Sequence, residues 1–398
     1  MISVDEARAR ILEKLQSTGV ETVSLAQGWN RVLAASVHAR LTQPPADVSA
    51  MDGYALRAIE AKAGTRLRIV GTAPAGHPFE GVVAPGEAVR LFTGSYMPAG
   101  ADAVLLQEDA EAADGFVTAN ETAISGRHIR RAGQDFTAGD VLIPQGRRLT
   151  ARDIGLAAAG NHPWLAVYRR PRIAILATGD EISLPGDEIG PGGIVSSNAH
   201  ALAAFIRAAG GEPIVLPIAR DDLAAIAAGA DAALGADLLL TTGGASVGDH
   251  DLVRQGLASC GLVLDFWKIA MRPGKPLMFG WMDDMPVLGL PGNPVSAFVC
   301  ALLFLRPAIE CMIGLSGNAP ATEQARLAEA MKSNDQREDY VRATLSRDVD
   351  GWVARPYSTQ DSGMLRNLAG ADALIRRPAY QGALAKGARV EIIRLEDL

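Results

Sequence analysis

Ala236-Asp-Leu-Leu-Leu-Thr-Thr-Gly-Gly-Ala-Ser-Val-Gly-Asp-His-Asp251 is the stretch whose reading decides the fold. An apolar run, Ala236–Leu240, enters a glycine-rich turn, and carboxylates crowd the start of the helix expected at Leu252–Ala258. Such a run reads as a buried strand. Glycines let the backbone approach a ligand closely, and a helix N-terminus offers free N–H groups to an anion. Further along, Leu290-Pro-Gly-Asn-Pro-Val-Ser296 repeats the strand–turn–helix order, with Pro294 suited to a first helical turn. Two such turns in one α/β unit point to a phosphate-bearing ligand.

Working outward, residues 170–316 alternate regularly. Strands are expected at Arg172–Ala177, Ile214–Ile218, Asp237–Thr241, Phe266–Ile269, Leu277–Phe279 and Val287–Leu290. Helices are expected at Ser197–Ala209, capped by Ser196, Ser197 or Asn198, at Asp221–Leu234, capped by Asp221, and at Pro294–Ile313. This rhythm implies a doubly wound parallel sheet with right-handed crossovers. Residues 43–128 read as short strands punctuated by Pro74, Gly76, Pro85-Gly86 and Pro98-Ala-Gly100, a small inserted β domain. Residues 1–42 and 129–169, with helices near Val4–Leu15 and Thr150–Gly160, would join as an elongated helical N-terminal domain. Residues 317–398 read as a C-terminal β domain with strands at Tyr340–Arg347, Trp352–Pro356, Ala373–Arg377 and Arg389–Arg394.

Composition excludes several functions. A net charge of −7 and an aromatic content of 5% leave neither a basic track nor stacking platforms for nucleic acid. The most apolar run, Ala297–Leu305, is short for a membrane span, and residues 1–16 carry acids where a signal peptide would be basic. Cys260, Cys300 and Cys311 form no CxxC pair, which suits a reducing compartment and a cytoplasmic protein.

Ligands of open α/β sheets bind beyond the carboxyl ends of the strands. The turns expected there are Thr178-Gly-Asp-Glu181, Arg220-Asp-Asp222, Thr241–Asp251 and Pro291-Gly-Asn-Pro294, and Arg272-Pro-Gly-Lys-Pro276 adds two cations. Asp180 and Glu181 either face the ligand or end a strand in solvent. Asp249 and Asp251 either serve the site or complement a helix dipole. Lys275, framed by Pro273, Gly274 and Pro276, has a restricted direction that favours a functional reading. There is no GxxxxGK[ST] and no GxGxxG after a strand, so the anion cradle belongs to neither the Walker nor the dinucleotide class.

In order along the chain stand Ser49-Ala-Met-Asp-Gly-Tyr-Ala55, Phe92-Thr-Gly94, Pro98-Ala-Gly-Ala-Asp-Ala-Val104, Arg131-Ala-Gly-Gln-Asp135, Ala177-Thr-Gly-Asp-Glu181, Thr242-Gly-Gly-Ala-Ser-Val-Gly248, Arg272-Pro-Gly-Lys-Pro276 and Leu290-Pro-Gly-Asn-Pro-Val-Ser296. Through them the chain closely resembles the molybdopterin molybdenumtransferases, MoeA and the gephyrin E domain, over essentially its whole length. Arg272 stands where lysine is frequent in that family.

The resemblance implies a multidomain α/β plus β protein with a central doubly wound molybdopterin-binding domain and a C-terminal β-barrel-like domain. It implies a homodimer with the active site in a cleft between subunits. The implied reaction inserts molybdate into adenylylated molybdopterin and releases AMP, with Mg2+ or another divalent cation. Transient partners would be molybdopterin adenylyltransferase and molybdoenzyme chaperones. Carried over by motif, the catalytic set is Asp52, Thr93, Asp135, Glu181, Asp221 and Asp251, with Glu181 and Asp221 on the metal. Substrate-binding positions are Gly243, Gly244, Ser246, Gly248, Asp249, Arg272, Lys275, Pro276, Pro291, Gly292, Asn293, Pro294, Ser296, Arg342 and Ser362. The residue types suit the chemistry. A tetrahedral dianion needs cations and N–H donors, and a phosphoanhydride needs a metal held by acids.

Overall fold

The computed structural model describes residues 1–243 and 252–395. Two compact units emerge, one of Met1–Thr22, Asn30–Ala34 and residues from Ala166 onward, the other of Val23–Trp29 and Ala35–Leu165.

In the second unit a six-stranded sheet runs in the order Ala103–Leu106, Gly53–Leu56, Glu87–Leu91, Arg66–Ala73, Phe116–Ala119, Ala110–Ala113. Arg66–Ala73 and Glu87–Leu91 pair in parallel and the other neighbours are antiparallel. Tyr54, Leu56, Leu67, Leu105 and Val117 form one core against it. The expected short helix is Ala151–Ala159. Thr150 and Asp153 close it with a reciprocal capping box, so its start is written in local sequence.

In the first unit Arg172–Ala177 pairs in parallel with Glu212–Val215 and Leu238–Thr242, which pairs in parallel with Met285–Leu290. Leu238, Leu239 and Leu240 are fully buried, and Thr241 and Thr242 nearly so, because helices cover both faces. The sheet is not parallel throughout, as the alternation had suggested. Met278–Met282 and Leu262–Trp267 add antiparallel strands at one edge. The reason is the connection. Only Asp283 and Asp284 separate Met282 from its partner Met285, Asp283 takes a positive φ, and so short a link makes a hairpin, not a crossover.

Pro294–Met312 is 19 residues long and apolar enough, by length and composition, to cross a membrane. The apolar run thus extends further than its sequence count suggested. Leu302, Leu303, Phe304 and Leu305 nonetheless sit in the main core, so this is a buried scaffold helix. Its turns widen over Ala301–Leu305, just ahead of Pro307, which cannot donate the next helical bond. Cys300 lies in the same core, and burial pushes its thiol up. The N-terminal helix, Val4–Glu13, packs Val4, Ala7 and Ile11 into this core, whereas the sequence reading grouped it with residues 129–169.

The C-terminal strands close on themselves. Glu338–Asp348 pairs with both Gly351–Pro356 and Ala373–Arg377, and Glu323–Leu327 with Arg389–Arg394 completes a small barrel. Met271 and Arg272 pair with Glu338 and Asp339, tying this barrel to the rim of the α/β sheet.

At the N-terminal end of the central Leu238–Thr242 strand, Asp237 accepts two bonds from Arg169, at 2.7 and 2.9 Å, and one from the Arg172 N–H. Partial burial alone would raise its carboxyl, but these donors outweigh burial and hold it below the usual range. A lowered carboxyl stabilises the fold above its unfolded pKa, and that contribution is lost as pH falls through the folded value. Asp237→Asn should cost about 1–2 kcal/mol in urea unfolding at pH 7. The difference should fade as acid protonates the Asp237 carboxyl, below the ordinary aspartate range. An equal loss at pH 7 and in acid would refute the charge-based account.

Candidate functional site

Where the parallel strands end, a cleft of about 780 Å3 opens in the first unit. Its floor is built from two turns. Gly243 follows the Leu238–Thr242 strand with φ +97°, and a Cβ there would stand 2.3 Å from the Thr178 carbonyl oxygen. Gly292 comes nearly as close to Gly243, since its own Cβ would lie 3.3 Å from the Gly243 Cα. No side chain fits at Gly243, whereas one at Gly292 would need its neighbour to give by only a few tenths of an ångström. Asn293 and Pro294 start the long core helix with Asn293 making no side-chain cap. Instead Asn293 Nδ2 donates to the Ser362 hydroxyl at 2.9 Å, and the Val295 N–H donates to the Ser362 carbonyl at 3.1 Å. The barrel loop carrying Ser362 is thereby pinned to the cleft, which Gly363 lines.

The acids divide by neighbour. Asp222 caps the Leu223–Ala232 helix by accepting from the Ala225 N–H at 2.7 Å. The sequence reading gave that cap to Asp221, one residue too early. Freed of the cap, Asp221 lines the cleft with Glu181. Burial chiefly raises the Asp221 carboxyl, and Asp180 and Glu181 add to the rise through their charge, although the Asp221 N–H bonds to Asp180. Among the described residues no cluster of three or more His, Cys, Asp or Glu is arranged to hold a metal ion. Gly244, Ser246, Gly248, Asp249 and Asp251 lie outside the described residues.

The cations also divide. Arg272 bonds Asp339, Asp335 at 3.4 Å and Asn334 at 3.2 Å, so barrel-side groups already occupy its guanidinium. Lys275 is half-buried beside Pro276, and among the described residues its ammonium forms no ion pair, unlike Arg272. Pro276, Pro291, Gly292, Asn293, Pro294 and Ser296 line the cleft as their motifs suggested. Arg342 does not. It is 1% exposed, and it donates to Gln360 Oε1, the Asp361 carbonyl and the Met364 carbonyl. Its guanidinium braces the loop that presents Ser362 and Gly363. The sequence reading leaves Thr242 and Gly363 out of the site and weighs Asn198 only as a helix cap. Asn198 lines the cleft and bonds both floor turns.

In the second unit Asp52 accepts from the Thr93 N–H at 2.7 Å and from its hydroxyl at 2.9 Å. The backbone bond, then the hydroxyl bond, lowers the Asp52 carboxyl and keeps it charged. Asp135 lines a separate recess of about 640 Å3 with Gln43, Tyr96 and Arg130.

Three family models match in order: the MoeA N-terminal region, domains I and II, over 2–160, a probable molybdopterin-binding domain over 174–311, and the MoeA C-terminal region, domain IV, over 324–395. A molybdopterin molybdenumtransferase of Nostoc sp. is 36% identical over 396 residues, covering 96% of this chain and 90% of the relative. The chain belongs to the molybdopterin molybdenumtransferase (MoeA) family. A second such protein, of Mycobacterium tuberculosis strain H37Rv, is 34% identical over 98% of this chain and 99% of its own length. Among solved structures, the molybdopterin biosynthesis MoeA protein of Pyrococcus horikosii superposes with a TM-score of 0.86 at 29% identity, over 99% of each chain. The motif resemblance is therefore borne out, and the cleft of this MoeA-family chain lies largely within the stretch matched as molybdopterin-binding.

Proposed function

We propose that this chain works in molybdenum cofactor biosynthesis as a molybdopterin molybdenumtransferase, inserting molybdenum from molybdate into adenylylated molybdopterin with release of AMP. Curated relatives of that activity align over nearly the whole chain. The observation that carries the reading is the cleft itself: two glycine turns at the ends of parallel strands, with Glu181 and Asp221 beside them. Backbone pressed this close leaves room for a phosphoanhydride and for N–H groups to face it.

Glu181 and Asp221 would hold Mg2+ or another divalent cation. The fit rests on Asp221, whose burial and acidic neighbours penalise its charge, a penalty that a cation offsets. When bound, the cation offsets the charge of the anhydride. Gly243 and Gly292 position that anhydride, while Arg342 holds the Ser362 loop against it. Asp52, kept charged by Thr93, and Asp135 serve the same reaction on the strength of their motifs. The resemblance also supports a homodimer, a cytoplasmic location, transient contact with molybdopterin adenylyltransferase and molybdoenzyme chaperones, and a division into 43–128, 170–316, 317–398 and a part made of 129–169 with 1–42, less the Val4–Glu13 helix that packs in the α/β core.

The test is direct. Incubated with adenylylated molybdopterin, molybdate and Mg2+, the protein should yield cofactor-bound molybdenum and AMP in equal amounts. Adenylate formation from ATP and molybdopterin would point to the adenylyltransferase instead, and neither product would refute both. Sedimentation should report a dimer mass.

Lys275 separates the two substrates. Arg272 is already balanced by acids, so Lys275 is the cation open to a dianion. Lys275→Ala should raise KM for molybdate roughly tenfold to a hundredfold, the worth of one charge-assisted contact, and KM for the adenylylated pterin much less. Equal increases would overturn that division of labour.

A further inference from the structure

Asn198 sits in the first turn of the Asn198–Ala209 helix, half-buried at the cleft wall. Its Nδ2 donates to the Gly292 carbonyl at 2.7 Å and to the Thr242 hydroxyl oxygen at 3.0 Å. A carbonyl can only accept, so the amide nitrogen, not its oxygen, must face Gly292. The orientation of the side chain is thereby settled. Its second proton then falls to Thr242, whose oxygen acts as the acceptor.

Two consequences follow. The amide ties together the ends of two strands whose backbones approach through Gly243 and Gly292. It also leaves the Thr242 hydroxyl with a proton to give. Thr242 is 2% exposed, lines the cleft, and has no recorded acceptor for that proton among the described residues. Beside it, the Thr178 hydroxyl is buried with no partner among the described residues, and the Thr178 N–H donates to the Thr242 carbonyl at 3.1 Å. Its oxygen lies 3.4 Å from where a Cβ on Gly243 would stand. Buried hydroxyls without partners are costly, and an oxyanion at this floor is the kind of group that would engage them.

We propose that Asn198 is a positioning residue that fixes the separation of the two floor turns and turns the Thr242 hydroxyl into a donor for a substrate oxyanion. The inference rests on the molybdenum-transfer reading and deepens it. Asn198 itself need not touch substrate. It holds the Thr242 oxygen from behind, so that the hydroxyl proton points into the cleft when a phosphoryl or molybdate oxygen arrives.

Substitutions separate positioning from simple folding. Thr242→Val removes the hydroxyl at nearly constant shape, and Thr242→Ser restores it. Asn198→Ala removes the clamp. Asn198→Asp keeps the shape but sets a carboxylate against the Gly292 carbonyl, and only its protonated form can donate there. Asn198→Ala and Thr242→Val should each lower kcat/KM roughly tenfold to a hundredfold, and the double variant should lose no more than either alone, because both remove one arrangement. Thr242→Ser should recover most of the activity. Asn198→Asp should regain activity as pH falls, with Asn198→Ala showing no such recovery.

AMP binding, followed by calorimetry on the same proteins, tests the inference apart from turnover. AMP should bind the wild type and bind Asn198→Ala and Thr242→Val roughly tenfold more weakly. A wild type that binds AMP with this pattern but transfers no molybdenum would sink the proposed function and leave the positioning role standing. Additive losses, Thr242→Val at wild-type activity, or a wild type without AMP affinity would overturn the positioning role.

Discussion

Asp221→Ala should leave a folded protein whose molybdenum transfer falls roughly a thousandfold, while Asp222→Ala, one residue away, should keep turnover and lose about 1 kcal/mol of stability. The two acids differ only in what the tertiary structure asks of them. Asp222 spends its carboxylate on the Ala225 N–H, which is a helix cap. Among the described residues Asp221 has no such donor, and it faces the cleft, its charge penalised by burial and by Asp180 and Glu181. On the proposed role, in which Asp221 would hold a cation over a phosphoanhydride, its removal would forfeit several kcal/mol of transition-state stabilisation, and each factor of ten in rate is about 1.4 kcal/mol. Added Mg2+ should raise the melting temperature of the wild type and do so less in Asp221→Ala. The measurement is AMP release beside a thermal scan. Near-normal turnover in Asp221→Ala, or its loss in Asp222→Ala, would reverse the assignment.

Gly243→Ala should be the most damaging single methyl in the cleft. The residue sits at φ +97°, where an L side chain is strained, and the new Cβ would stand 2.3 Å from the Thr178 carbonyl oxygen. That neighbour is backbone at the end of a central strand, so it cannot swing aside as a side chain would. The Leu238–Thr242 and Arg172–Ala177 ends must part, and with them the Gly292 contact and the Asn198 clamp. We expect a loss of about 2–4 kcal/mol in stability and turnover below detection. Gly115, also at positive φ but with open space around its Cβ position, provides the control. Gly115→Ala should cost only the backbone strain, about 1 kcal/mol, and leave activity intact. If Gly243→Ala behaves like Gly115→Ala, the close approach is not what holds the floor.

Much of the architecture was legible because local chemistry dictates it. The Leu238–Thr242 strand, the helix opened at Thr150 and the Pro294 helix start each depend on residues within a few positions, and each stands within one residue of where the sequence indicates. The glycine turns at the strand ends were readable for the same reason, since a turn is a property of consecutive φ/ψ values. Motif order over the whole chain added the family, which the relatives and the Pyrococcus structure bear out.

The rest waited for the tertiary structure. Whether Asp221 or Asp222 caps a helix turns on one residue of register, and helix boundaries are the least certain part of any sequence reading. Arg342 looks like a phosphate-binding cation until its neighbours at Gln360, Asp361 and Met364 bury it. Arg272 looks free until a strand more than sixty residues later brings Asp339 to it. The hairpin at Asp283 and Asp284 reverses the sheet edge, and the first helix joins the α/β core. Asn198 gives no sign in its own segment that it clamps Thr242 and Gly292, which lie 44 and 94 residues away in the chain. Sequence by itself determined the elements, their turns and the family, because those follow from short-range sterics and hydrogen bonding. Only the fold decided which charge is spent, which is buried and which is left to meet a ligand, because each of those depends on partners that the chain brings together from a distance.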